Sequence, residues 1–231
     1  MKRAHASSGF TLVELLVALF AMAVLAVMSW RGLDGMSRAQ AQTEARSDEM
    51  LTLQIGLAQW SADLDALLQL PQTTALDWNG RVLRMTRRGT GAAADGALVV
   101  AWTRRMVNGS GTWLRWQSAP LTTRGELEQA WQQADSWSRN PGDDQRAREV
   151  AVMPLDDWQI FYFRGDAWTN PLSSDAAGVA AAAAAAAVPA GVAAALLPDG
   201  VRLVLSLPPG PAIGGQLTRD WVNPTLARAK S

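Results

Sequence analysis

A long apolar run near the start of the chain restricts its fold more than any other feature. Phe10–Trp30 spans 21 residues. About 20 apolar residues are enough to cross a bilayer as a helix. Three polar residues interrupt the run: Thr11, Glu14 and Ser29. Lys2 and Arg3 precede it, which favours a cytoplasmic N-terminus and places the rest of the chain across the membrane.

A cleaved secretory signal peptide is the alternative reading of the same residues. Ala21-Met22-Ala23 is a candidate cleavage site for it. However, the apolar run continues past that site to Trp30, and Glu14 places an ionisable group within the run. A carboxylate inside a membrane segment is costly and is by default a candidate functional residue. The residues therefore favour a helix that is retained as a membrane anchor.

Composition excludes several kinds of catalytic and metal site. The chain has no Cys, so thiolate sites are excluded. It has a single His, His5, which is too few for a histidine metal site and leaves one candidate for a catalytic His. Lys plus Arg and Asp plus Glu both number 21, so there is no basic surplus for coating nucleic acid. We expect no enzymatic activity, no cofactor and no nucleic-acid partner.

A short motif opens the apolar run. Gly9-Phe10-Thr11-Leu12-Val13-Glu14, followed by an apolar helix, resembles the class III signal of type IV pilins and type II secretion pseudopilins. In that family an inner-membrane prepilin peptidase cuts between Gly and Phe and N-methylates the new terminal Phe. The resemblance implies cleavage between Gly9 and Phe10, methylation of Phe10, and pairing of the Glu14 carboxylate with the terminal amine of a neighbouring subunit. Residues 1–9 would then be a cleaved leader and 10–30 the transmembrane segment.

Residues 31–70 predict an amphipathic continuation of the helix, which Pro71 is expected to end. Apolar side chains recur at alternating steps of three and four: Met50, Leu53, Leu57, Trp60, Leu64 and Leu67. The positions between them predict a solvated face that carries Asp48, Glu49, Gln54, Gln59, Asp63 and Asp65. The apolar face either packs on the chain's own sheet or forms a coiled-coil seam.

Residues 71–231 predict a head of antiparallel strands, and hence an α+β fold. Asn79-Gly80 and Asn108–Gly111 predict the turns of two hairpins. Thr123 and Glu126 predict a capping box for a short helix that continues through Trp137. Residues 176–197 are nearly all Ala and predict a surface insertion. The strand candidates are Thr74–Trp78, Arg81–Arg87, Ala97–Arg105, Thr112–Ser118, Glu149–Met153, Trp158–Arg164, Gly200–Leu207 and Gln216–Val222.

Three groups of side chains in the head allow alternative functions. Four Trp residues favour a core or subunit interface over a ligand-binding strip: Trp102, Trp113, Trp116 and Trp158. Asp143-Asp144 and Asp156-Asp157 favour solvated turns over a calcium site, because no spaced Asp-x-Asp-x-Asp loop accompanies them. An arginine patch keeps a DNA-binding head as an alternative: Arg81, Arg84, Arg87, Arg88, Arg104 and Arg105.

Four further segments are similar to J-type minor pseudopilins of the type II secretion system: Ser29–Asp34, Leu83–Arg88, Thr112–Trp116 and Leu197–Leu203. The resemblance implies a long helix packed on an antiparallel sheet, anchored in the inner membrane with its head in the periplasm. It implies a place at the pseudopilus tip beside the I-type and K-type subunits and the major pseudopilin. A minor type IV pilin with a ligand- or DNA-binding head is the alternative.

Overall fold

The structure, a computed structural model, describes residues 10–89, 96–164, 166–173, 197–210 and 212–224. Gly9 and all of the Ala-rich insertion except Leu197 lie outside the described residues. The chain divides into two compact units, Met1–Asp48 and Glu49–Ser231.

The first unit contains the longer part of helix α1 (Leu12–Asp65). Between Leu12 and Asp48 every residue of this helix is exposed, including the apolar side chains of the Phe10–Trp30 run. The helix is long and apolar enough to cross a membrane by length and composition, and none of its most apolar window is buried in the protein.

The second unit is built on two antiparallel sheets. In the first sheet the strands follow one another in chain order: β1 (Leu76–Trp78), β2 (Val82–Arg88), β3 (Ala97–Val107), β4 (Ser110–Gln117) and β5 (Glu149–Pro154). In the second sheet the order among the described residues is β7-β6-β8-β9. Its strands are β6 (Asp157–Arg164), β7 (Ala167–Thr169), β8 (Gly200–Leu207) and β9 (Gly215–Val222). The predicted α+β fold with an antiparallel head is confirmed.

Two shorter helices, α2 (Arg124–Arg139) and α3 (Asp143–Arg146), lie between β4 and β5. The predicted capping box is present at the start of α2, where the Thr123 hydroxyl accepts from the Glu126 N–H and the Glu126 carboxylate accepts from the Thr123 N–H. Neither α3 nor β7 was predicted, because a four-residue helix and a three-residue strand are too short to show a periodic pattern.

Two cores hold the second unit together. The larger core lies between the two sheets and includes the end of α1, which contributes Leu53, Trp60 and Leu64. The smaller core lies on the opposite face of the first sheet, where Leu127, Ala134 and Trp137 of α2 cover it. The apolar face of the Glu49–Asp65 segment therefore packs on the chain's own sheets, as one of the two interpretations of its pattern predicted.

The structure corrects the prediction for α1 in two places. The helix ends at Asp65, ahead of Pro71, because Leu67 forms a bridge with Arg87 and the Leu68 N–H donates to a β2 carbonyl at 2.9 Å. Asp63, which was predicted to be solvated, is fully buried. The chain leaves the helix where it can continue hydrogen bonding along the sheet.

Candidate functional site

The first turn of α1 is closed by a reciprocal pair of side chains. The Glu14 N–H donates to Thr11 Oγ1 at 3.3 Å. The Glu14 carboxylate in turn accepts from the Thr11 backbone N–H at 3.3 Å and from its hydroxyl at 3.1 Å. This arrangement satisfies two backbone donors that a helix start leaves unpaired, and it places a negative charge at the positive end of the helix.

The residues predicted to be processed lie beside this turn. Phe10 is 78 % exposed and immediately precedes the Thr11–Glu14 pair. Because Glu14 already bonds to the residue that follows Phe10, its carboxylate is held close to the point at which cleavage would create a new amine. The cleavage, the methylation and the assembly role of Glu14 remain predictions.

A buried cluster centred on Asp63 joins α1 to the first sheet. Asp63 Oδ2 accepts from Trp102 Nε1 at 2.9 Å and from Arg115 Nε at 2.8 Å. Asp63 Oδ1 accepts from Arg115 Nη2 at 2.8 Å and from Gln59 Nε2 at 3.0 Å, and it also forms an ion pair with Arg87. The donors on the sheet come from three adjacent strands, β2, β3 and β4.

The Asp63 cluster fixes how the Glu49–Asp65 segment of α1 lies on the sheet. A carboxylate with no exposure and two nearly buried guanidiniums are stable only when each is paired and hydrogen-bonded. A rotation or shift of the helix would separate all of these partners at once. One feature of the sequence indicates that Asp63 is buried. It follows Trp60 by three residues and directly precedes Leu64, so it lies within the apolar stripe.

Two other acidic residues of the predicted solvated face also dock the helix. The Asp65 carboxylate accepts from Trp221 Nε1 on β9 at 2.8 Å. The Glu49 carboxylate accepts from the backbone N–H of Ala212 at 2.9 Å. The polar positions of the Glu49–Asp65 segment therefore contribute to its packing.

The four Trp residues of the candidate aromatic strip are core residues. Trp102 and Trp113 have ring centroids 4.4 Å apart, and Trp158 packs edge-on against Trp78. Trp116 stacks with Trp137 of α2 on the opposite face of the first sheet. All four are buried, so none offers a ring face to a ligand.

Most of the candidate arginine patch is engaged within the protein. Arg87 pairs with Asp63, Arg84 with Asp77, and Arg105 with Glu149. Arg104 donates to the backbone carbonyl of Leu155 at 2.9 Å. These arginines also point to opposite faces of the first sheet, so they do not form one continuous basic surface.

The acidic pairs considered for calcium lie on the surface. Asp143 and Asp144 form the first turn of α3, and Asp143 pairs with Arg146 at 3.1 Å. Asp156 and Asp157 lie at the start of β6 and are exposed. Within the described ranges, no group of three or more His, Asp or Glu residues is arranged to hold a metal ion.

Three carboxyl or phenol groups in the second unit have shifted acidities. Hydrogen bonds from the backbone N–H groups of Thr122 and Thr123 lower the pKa of Glu126. The Arg202 guanidinium, bonded to Asp220 through two contacts of 2.7 Å, lowers the pKa of that carboxyl. Burial raises the pKa of Tyr162 strongly.

Comparison with known families finds a match to the N-terminal residues. Residues 5–30 match the prokaryotic N-terminal methylation motif. No curated protein matches the chain. The matched range contains Gly9, Phe10 and Glu14 together with the whole apolar run. The motif supports a pilin-like or pseudopilin-type protein.

This finding also bears on location and chemistry. The motif includes the apolar run of α1, which is the one helix in the described part of the chain that is long and apolar enough to cross a membrane. This arrangement indicates a single-pass, membrane-anchored protein with a prepilin-like signal. Pilin-like proteins are generally structural rather than enzymatic. The motif ends at residue 30, so it carries no information about the head.

Proposed function

We propose that this protein is a J-type minor pseudopilin of the type II secretion system, a structural subunit at the pseudopilus tip that supports export of folded proteins. The observation that carries the proposal is the methylation motif together with the apolar run of residues 10–30, which is exposed throughout. The segments similar to J-type pseudopilins support the finer assignment. The partners would be the I-type and K-type subunits and the major pseudopilin.

Processing is the first step that the proposal requires. The mature protein should begin at Phe10 with one methyl group on its amine, which intact-mass measurement of the purified protein would detect. Gly9→Leu should block the cut, because a peptidase that accepts Gly at this position has little room for a side chain. Ser7→Leu places the same side chain two residues away and should be processed normally. An N-terminus at Met1 or after Ala23 would contradict the proposal.

Assembly distinguishes the J-type role from that of a minor type IV pilin. The full-length protein should co-purify with the I-type and K-type pseudopilins of its host, and deletion of its gene should reduce secretion. Co-purification with type IV pilus subunits instead, with normal secretion in the deletion strain, would favour the alternative.

Orientation is tested separately. We propose an inner-membrane anchor with the head in the periplasm, as Lys2 and Arg3 favour. Alkaline phosphatase fused after the head should be active, because this reporter folds only in an oxidising compartment. An inactive fusion of normal abundance would place the head in the cytoplasm.

A further inference from the structure

Strand β1 presents an unpaired edge. It is the end strand of the first sheet, and within the described part of the chain no strand pairs with its outer side. Thr86 donates to the Ala75 carbonyl at 2.9 Å, and Asn79 donates to β2 at 3.4 Å. Positions in an antiparallel strand alternate in the direction of their backbone groups. The N–H and C=O of Leu76 and Trp78 therefore point away from β2, toward the open edge.

A groove runs beside this edge. A cavity of about 460 Å³ lies between β1 and α2, and residues from the sheet side and from the helix line it. Thr73, Thr74 and Asp77 belong to the sheet side, and Trp131 and Gln132 to the helix. A second cavity of about 170 Å³ adjoins it and shares Thr73 and Leu127. We call the two cavities together the α2–β1 groove.

The charges of the groove are already compensated. Arg84 pairs with Asp77 at 2.5 Å, and its guanidinium lies 5.1 Å from the centre of the Trp131 ring. Arg124 pairs with Glu128 at 3.2 Å and also bonds to Gln72. Two carboxylates and two guanidiniums leave no net charge for a charged ligand. The remaining lining of the larger cavity consists of hydroxyls, amides and the apolar surfaces of Leu127 and Trp131, and the second cavity adds the apolar residues Leu70, Pro71, Ala97 and Leu121.

We propose that the α2–β1 groove binds an extended, uncharged polypeptide segment of a partner protein, which adds to the first sheet as a strand beside β1. The backbone groups of Leu76 and Trp78 would supply the main-chain hydrogen bonds, as in other sheet-edge complexes. Side chains alternate along a strand, so every second one would face the α2 side, as Asp77 does. An apolar side chain there would contact Leu127 and Trp131.

A peptide fits this site better than a second copy of the chain. β1 has three residues, so two β1 edges paired with each other would form few hydrogen bonds and leave the groove empty. A peptide segment can use the edge and fill the groove at the same time. Every residue that lines the groove belongs to the second unit, so the inference does not depend on which pilus-like assembly the protein joins.

The test uses full-length protein in lipid nanodiscs. A phage library of random peptides of about 12 residues, long enough for two average strands, is selected on it and depleted on empty nanodiscs. Selected peptides should be uncharged and should slow amide exchange in the fragment that contains Leu76–Trp78. Gln132→Trp, which fills the groove, should weaken their binding at least about tenfold. Gln129→Trp places the same ring on an exposed position of α2 that does not line the groove, and it should bind normally.

Each alternative outcome is decisive. Slow exchange at β1 before any peptide is added would show that the edge is already paired, within the chain or with a second copy, and would overturn the proposal. Failure to enrich any peptide over empty nanodiscs would do the same, as would equal binding by Gln132→Trp. If that variant does not fold, Thr74→Arg narrows the groove from the sheet side and repeats the test.

Discussion

At the scale of single residues, Asp63 is central to the docking of the Glu49–Asp65 segment on the first sheet. Asp63→Asn keeps the shape but removes the charge that compensates Arg87 and Arg115. Removal of one partner of a buried ion pair typically costs about 3–5 kcal/mol. We expect a loss of that size in urea unfolding followed by tryptophan fluorescence. Asp143→Asn at an exposed pair should change the free energy of unfolding by less than about 0.5 kcal/mol, and equal losses would contradict the structural role of Asp63.

Tyr162 is the only tyrosine in the chain, and its hydroxyl is buried without a hydrogen-bond partner among the described residues. Burial raises its pKa in the folded protein, and the charge of Asp77 acts in the same direction. The unfolded chain therefore ionises first, near pH 10. The stability that neutral Tyr162 contributes is present below that pH and is lost as the pH rises above it.

This single tyrosine allows a direct measurement. Tyrosinate absorbance should stay absent in the folded protein above pH 10 and appear only with unfolding. Tyr162→Phe removes an unpaired buried hydroxyl, so it should keep or raise stability at pH 7. The variant should also lose less stability than the parent above pH 10. Normal titration of the parent near pH 10 in its folded state would show that the hydroxyl reaches solvent.

At the scale of elements, Gly56 allows α1 to approach the first sheet closely. A Cβ atom at this position would lie 2.6 Å from Val152 on β5 and 3.4 Å from the Trp113 ring. Gly56→Leu should therefore destabilise the head by about 1–3 kcal/mol through overpacking. Gly35 has no atom within 4 Å of its Cβ position, so Gly35→Leu is the matched control. Thermal unfolding of both variants would test this expectation. Equal melting temperatures would show that the helix can move away from the first sheet to accommodate the larger side chain.

Sequence patterns predicted those turns and strands well whose conformation depends on residues that are neighbours in the chain. Asn108 and Gly109 adopt φ of 51° and 81° in a two-residue turn, which is why the Asn-Gly pair identified the β3–β4 hairpin. Ile160 and Tyr162 share the buried face of β6, as alternation along a strand requires. The predicted end of α1 was wrong, because the Leu68 N–H donates to a carbonyl of β2 and no residue near Leu68 in the sequence indicates this contact.

The buried role of Asp63 was missed for a related reason. An acidic residue on a helix is normally solvated, and its two arginine partners lie 24 and 52 residues away in the chain. Only the folded sheet places those arginines over the helix. The α2–β1 groove likewise depends on packing between distant elements, whereas the processing motif is a continuous stretch that the sequence displays completely.

At the scale of the whole molecule, Glu14 should separate membrane insertion from assembly. Glu14→Leu removes an ionisable group from the apolar run, so insertion should persist or improve. Under the proposed function, the variant should be processed and membrane-held but should join the pseudopilus poorly and secrete less. Crosslinking and secretion assays on the same strain would measure this. Ser29→Leu, a polar-to-apolar change at the other end of the run, should assemble normally, and full secretion by Glu14→Leu would refute the role assigned to it.

The distribution of tryptophans allows intrinsic fluorescence and circular dichroism to report on the two units separately. Trp30 is the sole Trp before residue 49, and its side chain is exposed at the end of the apolar run. The other ten belong to the second unit, where close pairs such as Trp102–Trp113 should give exciton-coupled bands in the near-ultraviolet circular dichroism spectrum. Comparison of the parent with Trp30→Phe would isolate the emission of the one fluorophore at the end of the apolar run, which should shift to shorter wavelength on contact with lipid. Membrane insertion and unfolding of the head can thus be followed in one unlabelled sample, by two signals that come from different tryptophans.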